Sequence, residues 1–418
     1  MTAAVTPAHE LTLPEVNLLD VSRDEAMAGF AAAREQHWLA RQPFGYVVTR
    51  YEDVVAILRD RRFHSALGML PQMAGIDDPE FTRRRQQSIL SMEGAEHARL
   101  RRLVAPAFTP AAADRLRPFM REVVNGLVDE LAPQGKCDLV ADVCEPYPIP
   151  IVCELLGAPK QDWKLFSQWA TDIFRMFNGD VADHLDRIRA AADELDAYVR
   201  AMIDERRAAA NPPDDLLSAM IAAEEEGDRL STDELVMMVE AVLMAGTDTT
   251  RNQLACSVAL LAQHPDQWAV LAERPDGAQR VVEETMRYLG AVRGTARIAS
   301  EDIEYRGVVF PKGSFVATSL FAANFDPRVW DEPERFDVTR TPSQAQMTFG
   351  SGIHHCMGAS LARAELQEAL AVLATRLPDL RLDGPIEWKP NTVGIWGPAK
   401  LPLAFAVTAS PVAISGGC

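Results

Sequence analysis

Basic charge, paired cysteines and long apolar runs are all scarce in this chain of 418 residues. Lys and Arg number 42 against 60 Asp and Glu, a formal net charge of −18. Phosphate contacts need a basic face, so nucleic-acid binding is a poor default. The six cysteines (Cys137, Cys144, Cys153, Cys256, Cys356 and Cys418) lie far apart with no C-x-x-C pair. Neither a disulfide framework nor a zinc site is implied. No run of about 18 uncharged apolar residues exists, so no membrane span is expected. Met1 to Asp20 carries prolines and acids where a signal peptide needs basic residues and then an apolar stretch, which predicts a cytoplasmic protein. Gly/Ser linkers, repeats and low-complexity tracts are also missing, so nothing divides the chain.

What the sequence does have is ample material for a core: 48% hydrophobic and 24% charged residues. Helical periodicity dominates, over Tyr51–Asp60, Ala95–Val104, Pro110–Leu131, Pro148–Leu156, Gln161–Phe177, Val181–Ala210, Pro213–Glu226 and Pro275–Leu289. Ser231-Thr232-Asp233-Glu234 reads as a capping box opening the longest helix, which runs to His264-Pro265. Strand signals cover Gly45–Thr49, Ala296–Ile298, Ile303–Tyr305, Phe315–Ser319 and Leu401–Val407. Asn324–Gln346 reads as an ordered meander anchored by Phe325, Trp330 and Phe336, and Ala66–Leu90 as a long loop. The expected fold is mostly α with small β-sheets (α+β): an N-terminal arm over 1–20, one catalytic domain over 21–408 and a tail over 409–418.

One segment outweighs the rest: Phe349-Gly350-Ser351-Gly352-Ile353-His354-His355-Cys356-Met357-Gly358, followed at once by an amphipathic helix. Glycine lets a backbone turn sharply and approach a flat ligand. A cysteine beside a helix N-terminus is favoured as a thiolate, and a thiolate on such a loop can ligate a haem iron. Inside the longest helix stands Ala245-Gly246-Thr247-Asp248-Thr249-Thr250, a poor helix sequence between strong helix formers. Such a local violation is where function is expected. Threonine hydroxyls can bond back to the backbone, and Gly246 is expected to let a ligand approach.

F-G-x-G-x-H-x-C-x-G resembles the haem-binding signature of the cytochrome P-450 family, and A-G-x-D-T-T resembles the motif of that family's helix over the haem. The resemblance runs from about Tyr46 to Phe405, with the motifs in order. It implies haem b between the long helix and the cysteine loop, with Cys356 as the metal ligand and Phe349, Gly350, Gly358 and Ala245 around the cofactor. His97, Arg101, Arg297 and His354 are implied as partners of its propionates. Thr249 then hydrogen-bonds the bound dioxygen, and Asp248 relays protons to it. Glu284-Thr285-Met286-Arg287 matches the family's E-x-x-R, a structural pair holding the meander through Arg335 or its neighbours. His355 departs from the pattern, since many relatives carry an apolar residue there.

The resemblance implies a monooxygenase that hydroxylates a lipophilic small molecule: a terpenoid, steroid, fatty acid or polyketide. Its pocket is mapped onto Met69, Leu70, Met73, Ile89, Phe174, Phe177, Leu243, Met244, Val292, Ile395 and Trp396. No charge stands at an obvious place to clamp a carboxylate; Arg83–Arg85 are the candidates for that role, but read rather as surface. Electrons are expected from NAD(P)H through a reductase and a ferredoxin or flavodoxin, docking on Arg99, Arg102 and Arg115 of a monomer. A non-turnover ligand or gas binder, a peroxide-driven peroxygenase and a His355–Cys356 hydrolase are the rivals. The Asp248-Thr249 pair weighs against the first two, and the lack of a third orienting residue against the last.

Overall fold

The computed structural model describes residues 5–17, 21–69, 72, 75–177, 181–225, 230–390 and 394–407. Helices dominate it. The longest, Thr232–Gln263, opens on the expected capping box: Glu234 N–H bonds Ser231 Oγ at 3.2 Å, and Ser231 N–H bonds Glu234 Oε2 at 2.8 Å. From Leu254 to Ala262 every residue is buried, so the C-terminal half lies inside the molecule. It packs there against the Ala359–Arg376 helix, the Ala278–Tyr288 helix and the Pro148–Leu156 helix. One core cluster gathers on this half and on the Pro110–Leu131 helix, around Met120, Val124, Leu254, Val258, Leu366 and Leu370. A second fills the space between the N-terminal half, the Trp163–Phe174 helix and the Val181–Ala208 helix.

The sheets are small. Five strands pair in the order Leu39–Gln42, Gly45–Val48, Phe315–Ser319, Gly294–Ala299, Phe63–Ser65. Gly294–Ala299 runs antiparallel to its neighbour with Thr295 opposite Thr318, and this register fixes where Arg297 emerges. Residues of the expected N-terminal arm join the fold: Thr6–Pro7 pairs in parallel with Val308–Phe310, and Ala8 and Val16 are buried.

Ala66–Leu90 is not a plain loop. It contains a helix, Pro79–Gln86, whose first amides are capped by Asp78 Oδ1 at 3.0 Å. Arg23–Gln36, Pro265–Glu273 and the short Leu320–Ala323 helix also escape the periodicity of the sequence. The first is rich in alanine, so its apolar stripe is weak. The calls on Leu70, Met73, Cys418 and the 409–418 tail lie outside the described residues, as does the side chain of Phe177.

Candidate active site

The cysteine loop is a turn held by its own backbone. Gly350 and Gly352 take φ values of +70° and +73°, which favour glycine. A side chain at Gly352 would strike Leu58 O at 2.1 Å, whereas one at Gly350 or Gly358 would meet nothing within 4 Å. Glycine is thus demanded by packing at 352, while open space borders 350 and 358. Gly350 N–H bonds Met347 O at 2.7 Å, and Cys356 N–H bonds Phe349 O at 3.0 Å. The Arg363 guanidinium lies 4.5 Å over the Phe349 ring.

Cys356 keeps accessible surface on one side and is crowded by protein on the others. That crowding pushes its thiol up, opposed by the Gly358 amide and by Arg101 and Arg363. In the polypeptide alone, therefore, desolvation outweighs the expected help from the helix N-terminus. A coordinating metal's charge deprotonates a thiol, which is how a bound iron would favour the thiolate here.

Two arginines and two histidines named from the sequence lie beside the loop. Arg101 Nη2 donates to His355 O at 2.6 Å, joining the Gly94–Val104 helix to the loop. The rings of His97 and His354 stand 4.6 Å apart, and His354 Nε2 meets Glu93 Oε1 at 3.0 Å. Arg297 is 3% exposed, and among the described residues its side chain donates to Thr295 Oγ1 and Ala296 O. Burial pushes Arg297 down to about 10, and burial first, then His354 and Arg101, pushes His97 down. Among the described residues Glu93 is the one carboxylate bonded to this group. The residues present therefore fit haem: a cysteine sulfur, glycines bordered by open space, and buried positive charge that two propionates would neutralise.

On the long helix, Asp248 is buried, Thr249 is half-buried and Ala245 is exposed. The helix continues unbroken through the motif, and Thr249 Oγ1 donates to Ala245 O at 2.8 Å. Gly246 serves a different purpose from the one expected. A Cβ there would come within 2.5 Å of Val152 Cγ2, so the glycine admits the Pro148–Leu156 helix rather than a ligand. Asp248 forms an ion pair with Arg251, although its Oδ1 receives no aligned hydrogen bond. Arg251 also donates to Thr171 Oγ1 at 3.3 Å, and Lys389 Nζ reaches Asn252 Oδ1 at 2.8 Å.

Glu284 and Arg287 form a buried bidentate pair, both contacts at 2.8 Å. Arg287 also donates to the carbonyls of Asn324, Pro333 and Arg335 at 3.0, 2.8 and 3.2 Å. The meander side chain that reaches Glu284 is Arg340, at 3.3 Å, not Arg335, which turns outward to Glu332 and Asp337. Thr348 Oγ1 donates to Met286 O at 2.8 Å, linking this lock to the cysteine loop.

The described residues mapped to the pocket differ in their surroundings. Leu243 and Trp396 sit in core clusters, Trp396 stacked 4.5 Å from Trp388. Met69 is exposed, while Ile89, Phe174 and Met244 are partly buried and Val292 bridges to Ile395. Of the three arginines expected to meet a redox partner, Arg102 and Arg115 are exposed, while Arg99 is held by Glu96 and Glu234.

Sequence reasoning missed Arg251, Lys389, Arg340 and Glu365. Arg251 had a readable signal, three residues after Asp248 on one helix face. Glu365 had none. It is 1% exposed, is bonded by Thr250, has an unpartnered Oε1, and is pushed up to about 8 by burial.

The cytochrome P450 family model matches residues 153–273 and 278–376. The chain is 36% identical over 420 residues to luteothin monooxygenase of Streptomyces thioluteus, covering 97% of this chain and 99% of that one. The structure superposes on P450BioI, solved in complex with hexadec-9Z-enoic acid ligated acyl carrier protein, with a TM-score of 0.85. Identity there is 31%, over 91% of this chain and 99% of that one. A myxobacterial P450, CYP267B1, in complex with myristic acid gives a TM-score of 0.84 at 35% identity, over 92% and 97% of the two chains. The fold and the site thus define a haem-thiolate oxidoreductase. The chain belongs to the cytochrome P450 family and is a monooxygenase of the bacterial kind. Among the described residues no helix is long and apolar enough to cross a membrane.

Proposed function

We propose that this enzyme inserts one oxygen atom from dioxygen into a C–H bond of a lipophilic small molecule, with haem b held by Cys356. The observation that carries the reading is the pairing of a glycine-bordered cysteine with Arg101 and with buried Arg297 and His97, beside which Glu93 is the one bonded carboxylate among the described residues. When bound, the haem supplies activation of dioxygen and transfer of its oxygen atom. The chain's own residues hold it, exclude water and manage protons.

Arg101 and Arg297 orient the propionates, His97 and His354 add donors, and Phe349, Gly350 and Gly358 shape the loop side of the cofactor. Ala245 presents a small surface on the opposite side. Thr249 Oγ1 gives its proton to Ala245 O and so keeps its lone pairs available to accept a proton-bearing partner. Asp248 relays protons from the side of Arg251, with which it is ion-paired. Glu284 and Arg287 act on structure alone.

Partly buried Ile89, Phe174 and Met244 support a lipophilic substrate. The same reading places the enzyme in the cytoplasm as a monomer, with one catalytic body over 21–408. It receives electrons from NAD(P)H through a reductase and a ferredoxin or flavodoxin that docks near Arg102 and Arg115. The test is turnover of a lipophilic panel with a ferredoxin–reductase couple under isotopically labelled dioxygen. Product with one labelled oxygen is expected. Unlabelled product, or turnover only on adding peroxide, contradicts the reading.

A further inference from the structure

Lys389 reaches the long helix beside Asp248 and Thr249 from a separate element. It follows a small ribbon in which Glu387–Trp388 pairs antiparallel with Pro398–Lys400. Its backbone is fixed there: Lys389 N–H bonds Gly397 O at 3.1 Å, and Trp396 Nε1 donates to Lys389 O at 3.0 Å. From this mount the side chain crosses to the helix, where Lys389 Nζ donates to Asn252 Oδ1 at 2.8 Å. Asn252 is 2% exposed, and its Nδ2 donates in turn to Asp248 O at 2.7 Å. Gly397 permits the approach, because a Cβ there would come within 2.9 Å of Asn252 Oδ1.

Asp248, Arg251 and Asn252 stand at i, i+3 and i+4, so they share one helix face, and Thr249 is the next residue after Asp248. Two cations therefore attend one buried carboxylate. Arg251 pairs with it directly, and Lys389 lies within its electrostatic reach. Burial pushes the Lys389 amine down, the attraction of Asp248 opposes that, and the repulsion of Arg251 adds to it. Cys256 on the same helix and Glu145 after the Val140–Cys144 turn also face Lys389, while Lys400 and Glu387 pair with each other on the ribbon. A neutral glutamine could tie the ribbon to Asn252 just as well. What lysine adds is charge, which is costly to withdraw from water unless an opposite charge offsets it.

We propose that Lys389 is a positioning residue for proton delivery: it fixes the Asn252 amide on the Asp248 turn and places a second positive charge beside the carboxylate that serves Thr249. The role rests on the monooxygenase reading and deepens it. A proton taken from water by the Asp248 carboxylate moves on toward Thr249, and both cations offset the carboxylate left behind.

The chain has six lysines, few enough for each to be followed by NMR after isotopic methylation. The haem-loaded, reduced, carbon monoxide-bound protein is titrated with pH, and the Lys389 signal is assigned as the one missing from Lys389→Arg. It should titrate below ordinary lysine, and lower still in Asp248→Asn, which removes the attraction. A Lys389 signal that ignores Asp248→Asn overturns the proposal. Function is read with the ferredoxin–reductase couple on the lipophilic panel. Lys389→Met should cut product per NAD(P)H about tenfold, the size of a lost charge-assisted hydrogen bond, and enlarge the rate difference between ordinary and heavy water. Lys389→Arg should restore most of it. A lowered melting temperature in Lys389→Met with wild-type coupling makes Lys389 a structural pin and overturns the proposal. The Soret band of the carbon monoxide samples separates the two readings. A thiolate-type band alongside a Lys389 signal that ignores Asp248 leaves the monooxygenase standing without this role.

Discussion

Arg287 and Arg85 are both arginines enclosed by the fold, and the fold serves them in opposite ways. Arg287 spends its donors on Glu284 and three backbone carbonyls, and it is 1% exposed. Arg85 keeps a sealed Nε with no acceptor and a sulfur in place of a carboxylate. A saturated buried cation is structure, because every donor is already committed to the protein itself. Arg85 is committed less fully: its hydrogen bond goes to the weak acceptor Met176 Sδ, and its guanidinium rests over the Phe81 ring.

Breaking the saturated pair should have the largest effect. Glu284→Ala leaves Arg287 as an uncompensated buried cation, at a cost of about 3–5 kcal/mol. Denaturant unfolding should show that loss, together with poor haem retention, because the meander and the cysteine loop hang from this pair. Arg297→Ala removes a charge-assisted contact worth roughly 1.5–3 kcal/mol, so haem loss to an apo-globin acceptor should accelerate about tenfold or more. Thr249→Ala should leave NAD(P)H consumption running while peroxide replaces product; unchanged coupling would remove the proton-relay role.

Gly246→Ala is a finer probe. Helix propensity gains about 1 kcal/mol, but the new Cβ meets Val152 Cγ2 at 2.5 Å, and overpacking costs roughly 1–3 kcal/mol. A net loss should appear in thermal unfolding and be relieved by Val152→Ala. The smallest effect concerns pH. Glu365 is raised from 4.5 to about 8 in the folded protein, so between those values the folded state holds a proton that the unfolded state releases. Its contribution to stability is fullest below 4.5 and fades as pH rises through 8. Glu365→Gln should flatten that decline in unfolding free energy.

What the sequence revealed was local. The capping box, the cysteine loop, the helices Pro110–Leu131 and Pro148–Leu156 and the E-x-x-R pair all depend on residues within a few positions of one another. What it concealed was the choice of distant partner. Gly246 answers to Val152, Arg340 rather than Arg335 reaches Glu284, and Arg99 belongs to Glu234 on another helix. The Pro79–Gln86 helix carried start signals in Asp78 and Pro79, yet its three arginines hid the apolar periodicity that would have identified it. Arg85 therefore read as surface, and only packing against Met176 reveals it as enclosed.

The most direct test of the central claim, that Cys356 presents a thiolate to haem, is the absorption spectrum of the dithionite-reduced protein under carbon monoxide. The account predicts a Soret band at the long-wavelength position expected of thiolate-ligated haem, lost in Cys356→Ser. A band at the position of a neutral axial ligand, or no haem band from haem-supplied cells, would contradict it.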